Sequence, residues 1–164
     1  MNFSKNKGRN CTRNNASSQS AILADGLQSV DHGPCPYVMN LADATLENQT
    51  YRTALWTGNY LQLTLMSLPV GEEIGLEMHS YIDQFLRVEQ GNGTVSMGRC
   101  KEHLDIKHNI CDDYAIFVPA GTWHNIVNTG DIPLKLYSIY SPPKHPKGTV
   151  HQTKADAIFD ELKH

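Results

Sequence analysis

The sequence has no apolar run near the roughly 20 residues that a membrane span requires. Its first 20 residues also lack the apolar core of a signal peptide. A cytoplasmic protein away from membranes is the expectation. Cysteine is scarce. Cys11, Cys35, Cys100 and Cys111 are widely spaced and form no CxxC pair, which excludes a disulfide scaffold or zinc ribbon and predicts a reduced protein. Cys100 and Cys111 flank one strand-like segment and are expected to be free thiols. Acid is missing from residues 1–24, where Lys5, Lys7, Arg9 and Arg13 stand alone. The remainder carries 10 basic residues against 17 acidic ones. The basic arm has no aromatic after Phe3 and no periodic pattern, so it reads as a solvated tail, and the acidic remainder excludes a nucleic-acid-binding body. With 164 residues there is room for one ordinary domain with a real core.

What is present is mostly a period of two. Gly33, Pro34 and Pro36 break any regular element near 29–36, and 41–47 reads as a short helix. From Tyr60, Leu61, Leu63 and Leu65 alternate with Gln62, Thr64 and Met66, the pattern of a half-buried strand. Strand-like runs follow at 75–79, 83–89, 94–97, 103–110, 114–118, 123–128 and 134–140, with glycine or proline in most gaps. About eight short strands spaced in this way predict a sandwich or small barrel. Pro142, Pro143 and Pro146 then prevent pairing. Residues 153–163 read as a helix capped by Thr153, with Ala155, Ile158, Phe159 and Leu162 as its apolar stripe.

Two segments carry chemistry. The first runs from Gly71 through Glu77, His79 and Gln84 to Gly91; the second from Asp113 through Pro119, Gly121 and His124 to Asn128. Glu77 and His79 are two apart on a strand and share a face. Gln84 is in phase with Leu86 and Val88, and His124 with Ile126 and Asn128, so all four groups can converge on one cation.

Together the segments resemble the paired motifs of the cupin superfamily, over roughly residues 55–141. The resemblance implies an all-β fold, a double-stranded β-helix or jelly-roll barrel of the small single-domain cupin_2 type, with one metal at its mouth. The implied organisation is a basic arm (1–30), an extension packing on the barrel or on a partner (31–59), the barrel (60–141), and a Pro-rich exit with a short helix (142–164). The implied ligand positions hold Glu77, His79, Gln84 and His124, where the family has two histidines, a glutamate and a histidine. Asp113 stands in place of the second motif's opening glycine, a turn position. One carboxylate is still present, so a divalent ion would see the same ligand charge as in the family. One divalent metal ion per chain is expected, and the donor set suits Zn, Fe, Mn, Ni or Co.

Gln62, Tyr81 and Asn128 are candidates for the substrate pocket, and Glu77 and Tyr81 for a catalytic base. Asp83 and Trp123 read as pointing away from the site, and His103 and His108 as surface residues. Lys144, His145, Lys147 and His151 make the exit from the last strand basic; the segment either folds over the mouth and takes an anion or simply leads to the helix. The family resemblance also implies a homodimer, with residues 37–58 as a source of a strand for a partner. Three functions follow. One is a metal-dependent isomerase of sugars or sugar phosphates, distantly similar to mannose-6-phosphate isomerase-like cupins. The others are a non-haem iron dioxygenase and a non-enzymatic small-ligand-binding cupin.

Overall fold

A computed structural model describes residues 31–163; the basic arm lies outside the described residues. A short helix, α1 (Leu41–Glu47), precedes nine strands: β1 (Arg52–Thr57), β2 (Gln62–Leu68), β3 (Asp83–Gln90), β4 (Gly93–Gly98), β5 (Ile106–Ile110), β6 (Ala115–Val118), β7 (Trp123–Asn128), β8 (Leu134–Ser141) and β9 (Val150–His151). Helix α2 (Lys154–Glu161) follows. The strands form a six-stranded sheet in the order β6-β3-β8-β2-β1-β9 and a three-stranded sheet in the order β5-β4-β7. All pairings are antiparallel.

Register across β3, β8 and β2 divides the interior into two ends. Val88, Leu136 and Met66 lie side by side, and Leu134 lies beside Leu68, forming an apolar floor with Val95 and Ile126 of the facing sheet. Above them stand Leu86, Ser138 and Thr64, and above those Gln84, Tyr140 and Gln62. The polar phase of β2 therefore points into the barrel. Leu63 and Leu65 point outward, where Met39, Leu41 and Ala44 of the α1 region cover them alongside Leu55, Phe85, Tyr137 and Ile139. The outward leucine face is thus covered within the same chain. α1 is held there by its cap, with Asn40 Oδ1 accepting from the Asp43 amide at 3.3 Å.

Four expectations are corrected. Residues 75–79 do not form a regular strand; they run beside β7 through isolated bridges at Glu73–Val127 and Glu77–His124. The stretch considered as a partner's strand contains β1, which pairs with β2 and β9 of its own chain. In α2 the Thr153 capping box forms with Asp156, yet Ile158, Phe159 and Leu162 are exposed and Ala157 is the buried residue. Polar links dock this helix instead: His151 to Asp160 at 2.9 Å, and Lys154 to Glu72 and Glu73 at 3.4 Å. Cys100 and Cys111 are free. Cys35 is disulfide-bonded, so the expectation of a fully reduced chain does not hold at that residue.

Candidate metal centre

The site is built at the polar end. The Glu77 amide donates to the His124 carbonyl at 3.0 Å, and the His124 amide donates back to the Glu77 carbonyl at 2.9 Å. This pairing sets the two side chains opposite each other. The Gly121 amide donates to the His79 carbonyl at 2.8 Å and anchors the segment's far end. Glu77 Oε1 then lies 3.4 Å from His79 Nε2 and 3.4 Å from His124 Nε2. The two rings are 5.5 Å apart and inclined at 69°.

Electrostatics and hydrogen bonding both point to a cation. Burial alone would raise the Glu77 carboxyl, but the imidazoles of His124 and His79 outweigh it and hold the group well below the usual carboxylate range. His124 Nδ1 lies 3.0 Å from the Thr122 carbonyl. That contact makes Nδ1 the donor and directs Nε2 at Glu77 and the space between the two rings. His79 Nε2 and His124 Nε2 are both buried without a hydrogen-bond partner. Two ligand atoms about 2.1 Å from one ion at the tetrahedral angle are about 3.4 Å apart, so the spacing suits a shared ion better than a hydrogen bond. Glu77, His79 and His124 are thus a group that could hold a metal ion.

Gln84 is 3% exposed on β3. Its Nε2 donates to Ser138 Oγ at 2.9 Å, and its Oε1 is buried with no partner. Its register neighbour Tyr140 stacks edge-on 6.0 Å from the His79 ring.

The pocket candidates are positioned differently. Gln62 is wholly buried and fully engaged: its amide donates to Thr57 Oγ1 and the His145 carbonyl and accepts from the amides of Lys144 and His145. Asn128 binds the carbonyls of Leu68 and Ile132 and the Gly130 amide. Both clamp the framework and have no polar group to spare for a substrate. Tyr81 is 89% exposed. Asp83 is exposed and accepts from the Ala120 amide at 2.9 Å. His103 and His108 are exposed.

Two residues here, Tyr140 and Arg52, escaped the sequence reading, and a third, His145, was read there only as part of the basic exit. Tyr140 is buried, and burial pushes its phenol up, so it stays protonated. Arg52 is buried on β1. His145 packs edge-on against Tyr140 at 5.3 Å. The two-residue phase of β8 links Tyr140 to Ser138 and was available as a signal; nothing local marks Arg52.

The cupin domain matches residues 64–140 of the sequence. The chain is a cupin. This cupin is 63% identical over 131 residues to the uncharacterized protein YrkC of Bacillus subtilis, covering 80% of this chain and 70% of that one. It is 43% identical over 115 residues to the uncharacterized protein L612 of Acanthamoeba polyphaga mimivirus, covering 70% of each. Its fold matches the crystal structure of BH2720 from Bacillus halodurans with a TM-score of 0.79 and 60% identity, over 79% of this chain and 98% of that one.

The double-stranded β-helix is therefore the fold, and its turns meet the family's backbone demands. Gly91 and Gly121 have φ of 92° and 78°. Asp113, in place of a motif glycine, takes φ 68°, a left-handed conformation that aspartate tolerates better than most residues. Arg87 Nη2 donates to Asp113 Oδ1 at 2.5 Å and steadies the turn.

Proposed function

We propose that this cupin holds one divalent metal ion at Glu77, His79, Gln84 and His124 and acts as an isomerase on a small polar substrate of the sugar or sugar-phosphate kind. The supporting observation is the set of donors left over at the polar end: unpartnered His79 Nε2, His124 Nε2 and Gln84 Oε1, beside an ionised Glu77. Buried polar atoms of this kind carry a desolvation cost that a bound ion removes.

When bound, such an ion is a Lewis acid that polarises a carbonyl and holds a neighbouring hydroxyl. Glu77, whose side chain is the most open of the three carboxylate and imidazole groups at 21% exposure, faces both imidazoles through Oε1, and its other oxygen, Oε2, moves the proton between adjacent carbons. Its lowered pKa keeps it in the accepting form at neutral pH. Tyr140, kept protonated, donates a hydrogen bond to a substrate oxygen. Tyr81 points to solvent, so the base role goes to Glu77.

Two histidines and one carboxylate are also the donor set of the facial triad in non-haem iron oxygenases, which makes a dioxygenase the second reading. Metal analysis of protein purified without added ions is expected to find about one ion per chain, with His124→Ala lowering occupancy at least tenfold. Metal-free wild-type protein overturns the proposal. Metal-loaded protein that turns over no aldose or ketose phosphate in a broad panel overturns the isomerase assignment. In that case oxygen uptake after anaerobic iron loading supports the dioxygenase, and ligand binding without turnover a binding protein.

A further inference from the structure

The barrel holds a buried cation that has no ion-pair partner among the described residues. Arg52 is 3% exposed. It faces inward: its register partner is His151, itself buried, and Ala54, two residues on, pairs with the fully buried Thr64. Arg52 Nε has no hydrogen-bond partner, and no carboxylate lies within ion-pair distance of the guanidinium among the described residues. Its contacts are the Tyr51 ring at 5.4 Å and the electrostatic influence of Tyr140, Glu77, Tyr51 and Glu161. An arginine cannot escape burial by losing its proton, so an uncompensated one is costly to keep.

The neighbouring groups leave the charge in place. His145 and His151 each have an unpartnered buried nitrogen, Nε2 and Nδ1. His145 is held neutral, its pKa pushed down to about 3 by burial and then by Arg52 itself. Glu77 is an interior carboxylate whose charge acts on Arg52, and it is the one that a divalent ion would take. Ion and Glu77 together would leave one positive charge, and Arg52 adds a second.

We propose that Arg52 is an anion-binding residue of the site. It receives the oxyanion end, carboxylate or phosphate, of a small ligand whose other oxygens lie at the Glu77, His79 and His124 centre. The planar guanidinium fork suits such a group. A cavity of about 420 Å³ opens beyond His145 and His151, lined by one cation, Lys144, against two acids, Asp160 and Glu161. The acids outnumber the lysine, so the oxyanion belongs on the barrel side, at Arg52. The proposal rests on the reading of the centre as a metal site for the ligand's other end only.

Calorimetric titration of chelator-treated and metal-loaded protein with glycolate, glycerol phosphate and neutral glycerol tests it. At least one oxyanion is expected to bind both forms while glycerol does not, and the preferred one identifies carboxylate or phosphate as the source. Arg52→Met is expected to weaken binding at least tenfold with metal content unchanged, and Arg52→Lys by less. In 15N-labelled wild-type protein the Arg52 Nε–H resonance should move with the oxyanion and stay in place with glycerol, a readout that depends on no variant. Absence of oxyanion binding to metal-free protein, unaltered affinity in Arg52→Met, or a stationary Nε–H signal overturns the assignment. Oxyanion binding by a wild-type protein that never takes up metal supports Arg52 while removing the metal reading alone.

Discussion

His145 shows how a single residue is governed by its surroundings. Its imidazole lies between Tyr140 and His151, with ring centroids 5.3 and 6.5 Å away, and its pKa falls to about 3 because burial and the nearby Arg52 disfavour the charged form. A histidine whose folded pKa lies below its unfolded value of about 6.5 favours folding fully above pH 6.5. That contribution is lost as pH falls toward 3, because the unfolded chain binds the proton first. Urea unfolding between pH 3.5 and 6.5 is therefore expected to show stability falling by up to about 1.4 kcal/mol per pH unit from this group. His145→Gln should remove that part of the slope, and an identical slope in the variant would contradict the account. The residue's basic setting was legible in the sequence, as was the choice between folding over the mouth and leading to the helix. Which of the two occurs depends on Gln62, 83 residues away, whose side chain binds both the amide and the carbonyl of His145.

At the level of elements, the turns decide which side chains reach the interior. Gly91 and Gly121 both adopt positive φ, but they differ in surroundings. A Cβ on Gly91 would come within 2.9 Å of the Pro133 carbonyl oxygen, whereas one on Gly121 would meet nothing within 4 Å. Gly121→Ala is expected to cost about 1 kcal/mol, for the left-handed backbone alone. Gly91→Ala should cost about 2–4 kcal/mol, since strain adds to a clash with backbone that cannot move aside. Chemical denaturation of the two variants tests the ranking. Element positions were widely legible: β7 spans 123–128 and α1 spans 41–47 as the patterns predict, because periodicity and capping are local. The 75–79 stretch was misread as a strand because its alternation is real. Its hydrogen bonds are too few for a ladder: it bridges to β7 at Glu77, with a second isolated bridge just before it at Glu73. The stripe on α2 was misread because Ala157 allows close approach and the ion pairs to His151 and Lys154 fix the helix's rotation.

For the molecule as a whole, Asp31 joins segments distant in sequence. Buried at the start of the described chain, its carboxylate accepts from the amides of Gly33 and Gly148 at 3.0 Å, the Thr57 amide at 2.9 Å and Thr57 Oγ1 at 2.6 Å. It thus fastens the extension and the segment after β8 to the edge of the larger sheet. Asp31→Ala should cost about 3 kcal/mol, because donors are left without their charged acceptor. It should also speed limited proteolysis within 142–149; unchanged cleavage there would show that the bonds from Gln62, Lys147 and Ala54 hold the segment without it. The extension is accordingly part of the barrel's framework, with β1 supplying Arg52 to the interior.

The sequence by itself determined the family and most of the strand positions, and it put forward Glu77, His79, Gln84 and His124 as candidate ligands, because motif spacing and two-residue phase are set by neighbours along the chain. It could not determine which end of the barrel interior is polar, which face of α2 is buried, or that Gln62 and Asn128 serve as clamps. Those follow from register across β3, β8 and β2 and from hydrogen bonds spanning up to 83 residues. Arg52 belongs to the same class. Along the chain it is one arginine in a strand, and only the closed barrel makes it a buried charge beside Glu77, since desolvation arises from groups brought together in space.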